Sequence, residues 1–356
     1  MDAKYIVKAD ELLRFATRLF AAVGLPEKDA EQVAGALVRA NLRGIDTHGV
    51  FRVPTYLKRL RLGLNNPHPK ITIRQAANAA FHIDGDNGMG AVVGRRAMDE
   101  AIRLARLHGT GVVAVMNSNH YGMAANYVLQ AVEAGMIGMA FTNASPALPP
   151  WGGRAPFFGT SPLAVGIPAG EETPFVLDMA MSVLARGNIF VAAQAGKSIP
   201  PGLALDSLGR PTTDPQSVIN GGTMLPFGGV KGAALAMLMD ILCGVFTGAA
   251  FGGDVGNPHK TFDRPQNVGH CFICMRPDLF MPLVEFKARM DELIRRTKSQ
   301  PRADGFDEIL IPGEREARTE RERLVKGIPL SPEVYDSLIK EAARAGIPGP
   351  DQVMFV

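Results

Sequence analysis

The sequence predicts a soluble globular chain of mixed α and β structure, in which helical N-terminal and C-terminal parts flank a central sheet. Three observations support this fold class. The 356 residues are 46% hydrophobic and 21% charged, a balance that excludes intrinsic disorder as the main state. Gly and Pro number 39 and 26, which is too many for a helical bundle. In the central region, helical and strand-like patterns alternate along the chain.

The N-terminal part shows two amphipathic helical patterns. The first apolar stripe includes Leu12 and Leu19 and stops at Gly24. Pro26 opens a second stripe, which ends near Gly44. Both helices are expected to serve as scaffold.

The central part alternates helices with short apolar runs. A helix is expected over about residues 91–107, ended by Gly109, and it leads into a buried strand with the sequence GVVAVMNS. The next helix covers about residues 124–134. Further apolar runs that are typical of strands occupy residues 136–144, 163–169, 174–180 and 269–275.

A proline-rich loop and charged helices complete the map. Residues 145–159 contain four prolines and three glycines, which predict an ordered loop of the kind that lines binding sites. Beyond Met281 the composition predicts charged helices. Residues 1–75 and 276–356 are expected to form one discontinuous helical lobe, and residues 76–275 a central sheet domain.

Charge and cysteine content exclude several classes of protein. Lys and Arg number 38 against 35 Asp and Glu, a net charge of +3 that is far from the basic excess of nucleic-acid-binding proteins. Three cysteines are too few for a disulfide framework, and the N-terminus lacks the apolar core of a secretory signal, so a cytoplasmic protein is expected. Residues 232–253 have the length of a membrane span, but Asp240 in their middle favours a buried core helix and no membrane partner.

Two motif-like patterns are interpreted as structural. The pattern nearest to a dinucleotide-binding G-x-G-x-x-G joins Gly88, Gly90 and Gly94, but its last spacing is wrong, and it is interpreted as a turn into a helix. Cys271 and Cys274 have CxxC spacing, yet on a strand they would point to opposite faces and could not bind one metal ion. Buried thiols are therefore expected, and no metal site.

The segment RGIDTHGVFRVPTY is the first candidate for chemistry. His48, Arg52 and Tyr56 recur every four residues, which on a helix would place an imidazole, a guanidinium and a phenol on one face. Pro54 favours a helix that begins near Val50, with His48 just before it. On spacing alone two interpretations stay open: a carboxylate-binding acid/base set, or a helix cap by His48 with Arg52 paired to a surface acid.

Three further residues could serve a site or only the structure. His120 in NSNHYG ends a predicted strand, where α/β sheets usually bind ligands, although a histidine there also satisfies freed backbone groups. Asp178 follows an apolar run and needs a partner such as a ribose hydroxyl, a backbone amide or a cation. Lys231 follows two glycines and precedes a helix, which fits either a phosphate cradle or a solvated turn.

Taken together, several segments resemble the malate/L-lactate dehydrogenase family that is unrelated to the Rossmann-type enzymes of the same names. The likeness covers about residues 5–350. It implies a family-specific, non-Rossmann NAD(P)-binding fold with a mostly antiparallel central sheet, usually in a homodimer. The segments that carry it are RGIDTHGVFRVPTY, NSNHYG, TNASPALPPWGG, GTSPLAVGIP, VLDMAMS, ALDSLGRPTTDP, LPFGGVKG and IPGER.

The resemblance also implies roles for individual residues. His48 would be the proton donor and acceptor, with His120 as the second candidate, and Arg52 would hold the substrate carboxylate. Thr47 and Tyr56 would line the same pocket. The cofactor-binding residues that it implies are His120, Tyr121, Ser145, Pro146, Thr160, Ser161, Pro162, Asp178, Met179, Ala180, Lys231, Gly313, Glu314 and Arg315.

The activity that the resemblance implies is hydride transfer between the nicotinamide of NAD or NADP and carbon 2 of a small carboxylate. The substrate pair would be a 2-hydroxy acid and its 2-oxo acid, such as malate or lactate. Three alternatives stay open: a cyclic-imine reductase acting on piperideine or pyrroline carboxylate, a metal-dependent hydrolase that uses His48, His120 and Asp178, and a non-catalytic protein that retains the fold.

Overall fold

The computed structural model describes residues 4–184, 186–351 and 353–355. Its strands are β1 (Tyr5–Val7), β2 (Thr72–Ala77), β3 (Ala80–Asp84), β4 (Thr110–Ser118), β5 (Ile137–Thr142), β6 (Leu163–Ile167), β7 (Phe175–Met179), β8 (Ala204–Leu205), β9 (Thr223–Met224), β10 (Val268–Met275), β11 (Ile328–Leu330) and β12 (Met354–Phe355). Its helices are α1 (Ala9–Ala21), α2 (Glu27–Leu42), α3 (Val53–Arg61), α4 (Gly90–His108), α5 (Ala125–Glu133), α6 (Arg186–Gln194), α7 (Pro215–Ile219), α8 (Val230–Asp240), α9 (Leu283–Lys298), α10 (Glu314–Lys326) and α11 (Pro332–Ala345).

Seven strands form the central sheet in the order β2-β3-β4-β10-β5-β6-β7. Among the described strands of this sheet, β3 and β4 pair in parallel through the crossover helix α4, and the other neighbours are antiparallel. The prediction of a mixed α and β fold with a mostly antiparallel central sheet is confirmed. β8 and β9 form a separate antiparallel pair.

Strand β10 lies in the middle of the sheet, and both of its faces are buried. Cys271 packs in the core that contains Phe141, whereas Cys274 packs in the core on the opposite face, which contains Val113. Burial raises the pKa of Cys271 to about 11 and that of Cys274 to about 12. The interpretation of the CxxC pattern as buried thiols is therefore confirmed.

Helix α4 begins and ends at the glycines that the sequence indicated. It starts at Gly90, as the interpretation of the glycine pattern as a turn into a helix requires, and Gly109 closes it with a left-handed φ of 85°. A Cβ atom on Gly90 would lie 2.2 Å from the carbonyl oxygen of Asn119 and 2.5 Å from that of His120. The first turn of α4 therefore supports the backbone of the loop that follows β4.

The two ends of the chain meet in a second, three-stranded sheet with the order β11-β1-β12. Tyr5 pairs with Leu330 across it, and its ring stacks on Tyr335 of α11 at 3.9 Å. Helices α1 and α2 pack on the same core, and their bounds confirm the two predicted N-terminal helices. The division into two lobes stays a prediction. The predicted boundary between them, at residue 75, lies within strand β2.

The apolar stretch at residues 232–253 is not buried throughout, so the expectation of a buried core helix is corrected. Helix α8 continues into a π-helical turn at Ile241–Val245, where the chain then bends away. Met239 is buried, but the side chains of Met237 and Phe246 are 52% and 65% exposed. No helix in the described part of the chain is long and apolar enough to cross a membrane.

Candidate active site

The segment RGIDTHGVFRVPTY folds as two short 3₁₀ turns, Asp46–His48 and Val50–Arg52, which lead into α3. The expected start near Val50 is confirmed for the 3₁₀ turn, whereas the α-helix begins at Val53 because Pro54 fits only its first turn. Gly49 lies between the two turns with an extended backbone, so the three predicted residues do not share one continuous helix.

Asn41 of α2 holds this bent segment in place. Its Oδ1 atom accepts a hydrogen bond from Val50 N at 2.8 Å, and its Nδ2 atom donates to Asp46 Oδ1 at 2.6 Å. A Cβ atom on Gly49 would lie 2.1 Å from Asn41 Oδ1, so this close approach requires glycine. Arg323 of α10 binds the other oxygen of Asp46 at 3.1 Å, which ties the segment to the C-terminal part.

Arg52 contacts backbone and imidazole groups. Its Nε atom donates to the carbonyl oxygen of Thr47 at 2.7 Å, and its Nη1 atom lies 2.5 Å from Nε2 of His259. Within the described part of the chain, no carboxylate forms an ion pair with Arg52, so the surface-acid alternative is not observed. The guanidinium is partly exposed and therefore remains accessible to an anionic ligand.

The two predicted histidines come together. Their rings stack with centroids 5.6 Å apart and an angle of 17° between the planes. The Tyr56 hydroxyl lies 2.6 Å from Nδ1 of His120, and Thr47 Oγ1 lies 3.2 Å from Nδ1 of His48. Four predicted residues from the two segments, together with Arg52, thus form one cluster, although 64 residues separate Tyr56 from His120.

The protein environment favours neutral imidazoles in this cluster. Burial, with Arg52 as the second cause, lowers the pKa of His48 to about 3. The pKa of His120 is also well below its usual range, because of burial first and then the charge of Arg52. Burial raises the pKa of Tyr56 to about 12. At neutral pH both histidines are therefore available as proton acceptors or neutral hydrogen-bond partners.

His259 belongs to this cluster, although the sequence analysis did not select it. Its Nδ1 atom lies 3.2 Å from Thr55 Oγ1, and its Nε2 atom contacts Arg52. Asn257 accepts hydrogen bonds from the backbone N atoms of His259 and Lys260. The available signal was a histidine after the turn-forming Asn-Pro pair, but no spacing relates that turn to Arg52, which lies 207 residues earlier.

Asp178 lies at the end of β7, where its carboxylate accepts a hydrogen bond from Ala125 N at 2.8 Å. A backbone amide, one of the three partners considered for this acid, is therefore present. Burial raises the pKa of Asp178 to about 6, against the opposing effects of this hydrogen bond and of Arg43. The residue as a whole is exposed, so it remains accessible to a ligand.

Backbone hydrogen bonds join the segments predicted to bind the cofactor. Met181 N donates to the carbonyl oxygen of Thr160 at 2.7 Å, and Phe227 N donates to that of Met181 at 3.0 Å. Val176 N donates to the carbonyl oxygen of Pro312 at 2.9 Å. The structure therefore brings residues 160–162, 178–180 and 313–315 and the loop before Lys231 to neighbouring positions around β7.

Two of the residues predicted to bind the cofactor have unpartnered hydroxyl groups. The Ser161 and Tyr121 hydroxyls are buried and have no hydrogen-bond partner among the described residues. Ser161 also has a φ of 34°, a conformation that non-glycine residues adopt rarely and that is often found at functional sites. Tyr121 stacks on the buried His270 at 4.6 Å, and burial first, then the charge of Asp178, raises its pKa well above its usual range. Polar groups of a dinucleotide fit this unmet hydrogen-bonding capacity.

The remaining predicted cofactor residues differ in their surroundings. Ser145 Oγ accepts a hydrogen bond from Asn257 at 3.3 Å, beside the half-buried Pro146. Lys231 is exposed in the first turn of α8.

Glu314 is buried and binds Lys298 at 2.6 Å and Arg318 at 2.9 Å, so its carboxylate has a structural role. The others are the half-buried Met179 and Ala180, Gly313 at the start of α10, and the exposed Arg315.

A sequence profile of the malate/L-lactate dehydrogenase family matches residues 7–339. The chain belongs to this family. A malate dehydrogenase from Pyrococcus abyssi is 41% identical over 98% of both chains. An L-sulfolactate dehydrogenase from Methanocaldococcus jannaschii is 41% identical over 91% of this chain and 92% of that protein. The solved structure of sulfolactate dehydrogenase from the same organism has a TM-score of 0.90, with 39% identity over 96% of this chain and 98% of that chain.

Membership of the malate/L-lactate dehydrogenase family makes the chain an NAD(P)-dependent oxidoreductase. Relatives in the family differ in the cofactor that their names give. A ureidoglycolate dehydrogenase (NAD(+)) from Escherichia coli K12 is 33% identical over 90% of both chains. A (2R)-3-sulfolactate dehydrogenase (NADP(+)) from Chromohalobacter salexigens is 34% identical over 85% of this chain and 88% of that protein.

One structural neighbour is named for a different reaction. The Δ1-piperideine-2-carboxylate reductase of Pseudomonas syringae has a TM-score of 0.86, with 28% identity over 95% of this chain and 99% of that chain. The hydrolase alternative required His48, His120 and Asp178 to act as metal ligands. Among the described residues, no group of three His, Cys, Asp or Glu side chains has an arrangement that could hold a metal ion.

Proposed function

We propose that the protein catalyses the reversible oxidation of a small 2-hydroxy acid, of the malate or lactate type, to its 2-oxo acid. The observation that carries this proposal is the cluster of Arg52, His48 and His120, which places a carboxylate-binding cation beside two neutral imidazoles. These groups provide what the reaction needs from the protein: an anchor for the acid and a group that exchanges the hydroxyl proton.

Arg52 binds the substrate carboxylate in this mechanism. A guanidinium donates two parallel hydrogen bonds to a carboxylate, which fixes the position of the adjacent carbon 2. The hydrogen bond from Nε to the carbonyl oxygen of Thr47 keeps the side chain against the 3₁₀ turn. The substrate carboxylate then displaces the contact with His259 at Nη1.

His48 accepts the proton of the substrate hydroxyl during oxidation and returns it during reduction. Without substrate, its low pKa makes it a weak acceptor, and the charge of Arg52 is one cause. A carboxylate bound to Arg52 offsets that charge, so substrate binding raises the pKa of His48 towards the range that suits acid/base catalysis.

His120 acts as a hydrogen-bond donor in this mechanism, although it remains the second candidate for the acid/base residue. The Tyr56 hydroxyl at 2.6 Å donates to Nδ1, and Gly122 N approaches the same atom at 3.4 Å. Because Nδ1 accepts these bonds, the proton of neutral His120 lies on Nε2. Nε2 can then donate to the oxygen on carbon 2 and stabilise the charge that develops there.

The cofactor would be held by the segments around β7. Ser161 and Tyr121 offer unpartnered hydroxyls, Ser145, Pro146 and Thr160 would line the cofactor site, and Lys231 and Arg315 would supply positive charge for its phosphate groups. A bound nicotinamide cofactor would supply the hydride acceptor for the hydroxy acid and the hydride donor for the oxo acid. The residues of the chain position the substrate against it and exchange the proton.

An assay of 2-oxo acids and cyclic imines with NADH and NADPH in parallel tests the proposed function. Oxidation of either cofactor that depends on a 2-oxo acid is the expected result. Turnover of a cyclic imine alone would favour the second candidate, which rests on the structural likeness to the piperideine carboxylate reductase. No turnover and no change in NAD(P)H fluorescence on addition of the protein would instead favour a non-catalytic relic of the fold.

We also propose that the enzyme works as a homodimer. Helix α8 and the π-helical turn expose a row of apolar side chains, and a surface of this kind usually marks a protein interface. These side chains are Val230, Met237, Leu238, Ile241, Val245 and Phe246.

A cytoplasmic location is proposed as well, since Cys243, Cys271 and Cys274 are all free thiols.

A further inference from the structure

The backbone of His120 lies just beyond the end of β4, where pairing between strands stops. The last pair of this ladder joins Ser118 of β4 to Val268 of β10. Asn267, the next residue outward on the β10 side, has a left-handed φ of 50°, so the chain leaves strand geometry there. The backbone N–H group of His120 therefore needs a hydrogen-bond acceptor outside the sheet.

The side chain of Gln266 provides this acceptor. Its Oε1 atom accepts a hydrogen bond from His120 N at 3.2 Å, and its Nε2 atom donates to the carbonyl oxygen of Gly256 at 2.9 Å. The residue is 3% exposed, and both ends of its amide are hydrogen-bonded. A buried amide that is satisfied at both ends has a defined position, because any rotation would leave a polar group without a partner.

Gln266 is itself anchored by a loop that contacts the substrate-binding helix. Gly256 N donates to the backbone carbonyl oxygen of Gln266 at 2.9 Å, so two hydrogen bonds join the ends of the loop formed by residues 257–265. Arg59 of α3 donates to the carbonyl oxygen of Thr261 in this loop at 2.8 Å. The contact between Gln266 and His120 is therefore supported from the side of α3.

Two contacts together determine the direction of the His120 imidazole. Gln266 holds the backbone N atom, and the Tyr56 hydroxyl lies 2.6 Å from Nδ1 of the ring. With one end of the residue and one ring nitrogen fixed, the remaining nitrogen, Nε2, has a defined position. Hydrogen bonds that stabilise developing charge lose much of their effect when the donor moves by a fraction of an ångström.

From these contacts we infer that Gln266 is a positioning residue, whose side-chain amide holds the backbone of His120 so that Nε2 reaches the oxygen on carbon 2 of the substrate. The inference rests on the proposed function and deepens it. In this role Gln266 acts through His120 and not through contact with the substrate. Its loss should weaken the stabilisation of the transition state and leave the binding of the carboxylate by Arg52 unchanged.

Gln266→Met tests the inference, because methionine has a similar length and makes neither hydrogen bond. We expect kcat to fall about 10-fold, the effect of losing one buried hydrogen bond, with unchanged KM and unchanged NAD(P)H affinity. In a His120→Ala background the same substitution should change kcat by less than about 2-fold, since the residue through which it acts is absent. Gln130→Met is the matched control. This amide donates to Asp99 at 2.6 Å on the exposed side of α5, and kcat should not change.

A loss of kcat that persists in the His120→Ala background would overturn the inference, because it would indicate a general structural role of Gln266. An unchanged kcat in Gln266→Met would overturn it as well. Thermal unfolding shows whether the variant is folded, and Gln266→Leu takes its place if it is not.

Calorimetric binding of oxamate and acetate, with reduced cofactor present, gives a readout that does not need turnover. Both molecules offer a carboxylate to Arg52, but oxamate alone has an oxygen on carbon 2 for His120. Gln266→Met should weaken oxamate binding about 10-fold and leave acetate binding unchanged. Equal effects on both, or no oxamate binding to the unchanged protein, would contradict the inference. If no 2-hydroxy acid is turned over, the proposed function fails, while a selective loss of oxamate affinity would still support the positioning of His120 by Gln266.

Discussion

At the scale of single residues, desolvation and one positive charge act together on the candidate site. His48 and His120 lie next to Arg52, and both are neutral because burial and the guanidinium disfavour the imidazolium form. A bound carboxylate removes one of these two causes. Substrate binding therefore activates the base that the reaction needs, and the free enzyme avoids a fixed cluster of like charges.

Replacement of His48 by Ala should lower kcat by about 10²-fold or more, because general acid/base catalysis typically contributes that much. Titration with NADH or NADPH, followed by fluorescence, should show unchanged cofactor affinity. His108→Ala is the control, since this histidine is exposed at the end of α4. An unchanged kcat in His48→Ala, combined with a large loss in His120→Ala, would transfer the acid/base role to His120.

Replacement of Arg52 by Lys should raise KM for the carboxylate substrate and lower kcat/KM by about 10-fold or more. Lysine keeps the charge but loses the planar pair of donors, so the carboxylate is held in a less defined position. Steady-state kinetics with the cofactor at saturation measure the effect. Equal activity of the variant would mean that the substrate carboxylate binds elsewhere.

At the scale of elements, close approach of backbones governs how the sheet meets its flanking helices. A Cβ atom on Gly269 of β10 would lie 1.6 Å from the carbonyl oxygen of Cys243 in the π-helical turn. Such contact between backbones cannot be relieved by rotating a side chain. Gly269 therefore fixes the distance between the central strand and the end of the apolar stretch.

The variant Gly269→Ala should lower the free energy of unfolding by about 3 kcal/mol, within the range for overpacked cores. Urea denaturation measures this loss. Gly35→Ala in helix α2 is the matched control. A Cβ atom at this position would meet only Cδ1 of Leu13 in α1, at 4.0 Å. That control should be stabilised by about 1 kcal/mol. A similar stability of both variants would contradict the tight packing of β10.

Helix bounds and the positions of single candidate residues were predictable from the sequence because local physics determines them. Gly109 caps α4 and Gly24 follows the end of α1, as expected, and His48 and His120 were selected from the ends of elements. His259 was not predictable, because its contact with Arg52 depends on the course of a loop 207 residues away. The exposure of Met237 was not predictable from composition either. An apolar helix face has the same sequence pattern whether it is covered by the core of the domain or by a partner protein.

At the scale of the whole molecule, buried neutral histidines should make stability depend on pH. Burial lowers the pKa of His270 to about 3, and its two nitrogens contact Thr142 Oγ1 and Ser118 Oγ. Below the unfolded pKa of about 6.5, the unfolded chain takes up a proton that the folded chain does not. Stability is therefore complete above this pH and falls as the pH approaches the folded pKa.

The slope due to His270 should approach about 1.4 kcal/mol per pH unit between pH 6 and pH 4. Urea unfolding of the unchanged protein and of His270→Gln at several pH values measures it. The difference between the two curves isolates this residue from Asp178, whose raised pKa of about 6 contributes with the opposite sign. His108→Gln provides the control at an exposed position. Parallel curves for His270→Gln and the unchanged protein would contradict the expected proton uptake.

Assembly is the second property at this scale. Phe246 is 65% exposed on the apolar row of the π-helical turn and α8, so Phe246→Lys should shift the protein from dimer to monomer. Light scattering coupled to gel filtration measures the molar mass. Phe280→Lys is the matched control, because Phe280 is 93% exposed and lies outside this row. A monomeric unchanged protein, or a dimer that tolerates Phe246→Lys, would contradict the proposed interface.

The position of β10 has a consequence for biosynthesis. Strands β4 and β5 leave the ribosome well before β10, which pairs between them. Until residues 268–275 have been translated, the nascent chain carries two unpaired strand edges with apolar neighbours, an arrangement that invites aggregation. Completion of the sheet is therefore a late event in synthesis, and a chaperone that shields β4 and β5 should raise the yield of native enzyme.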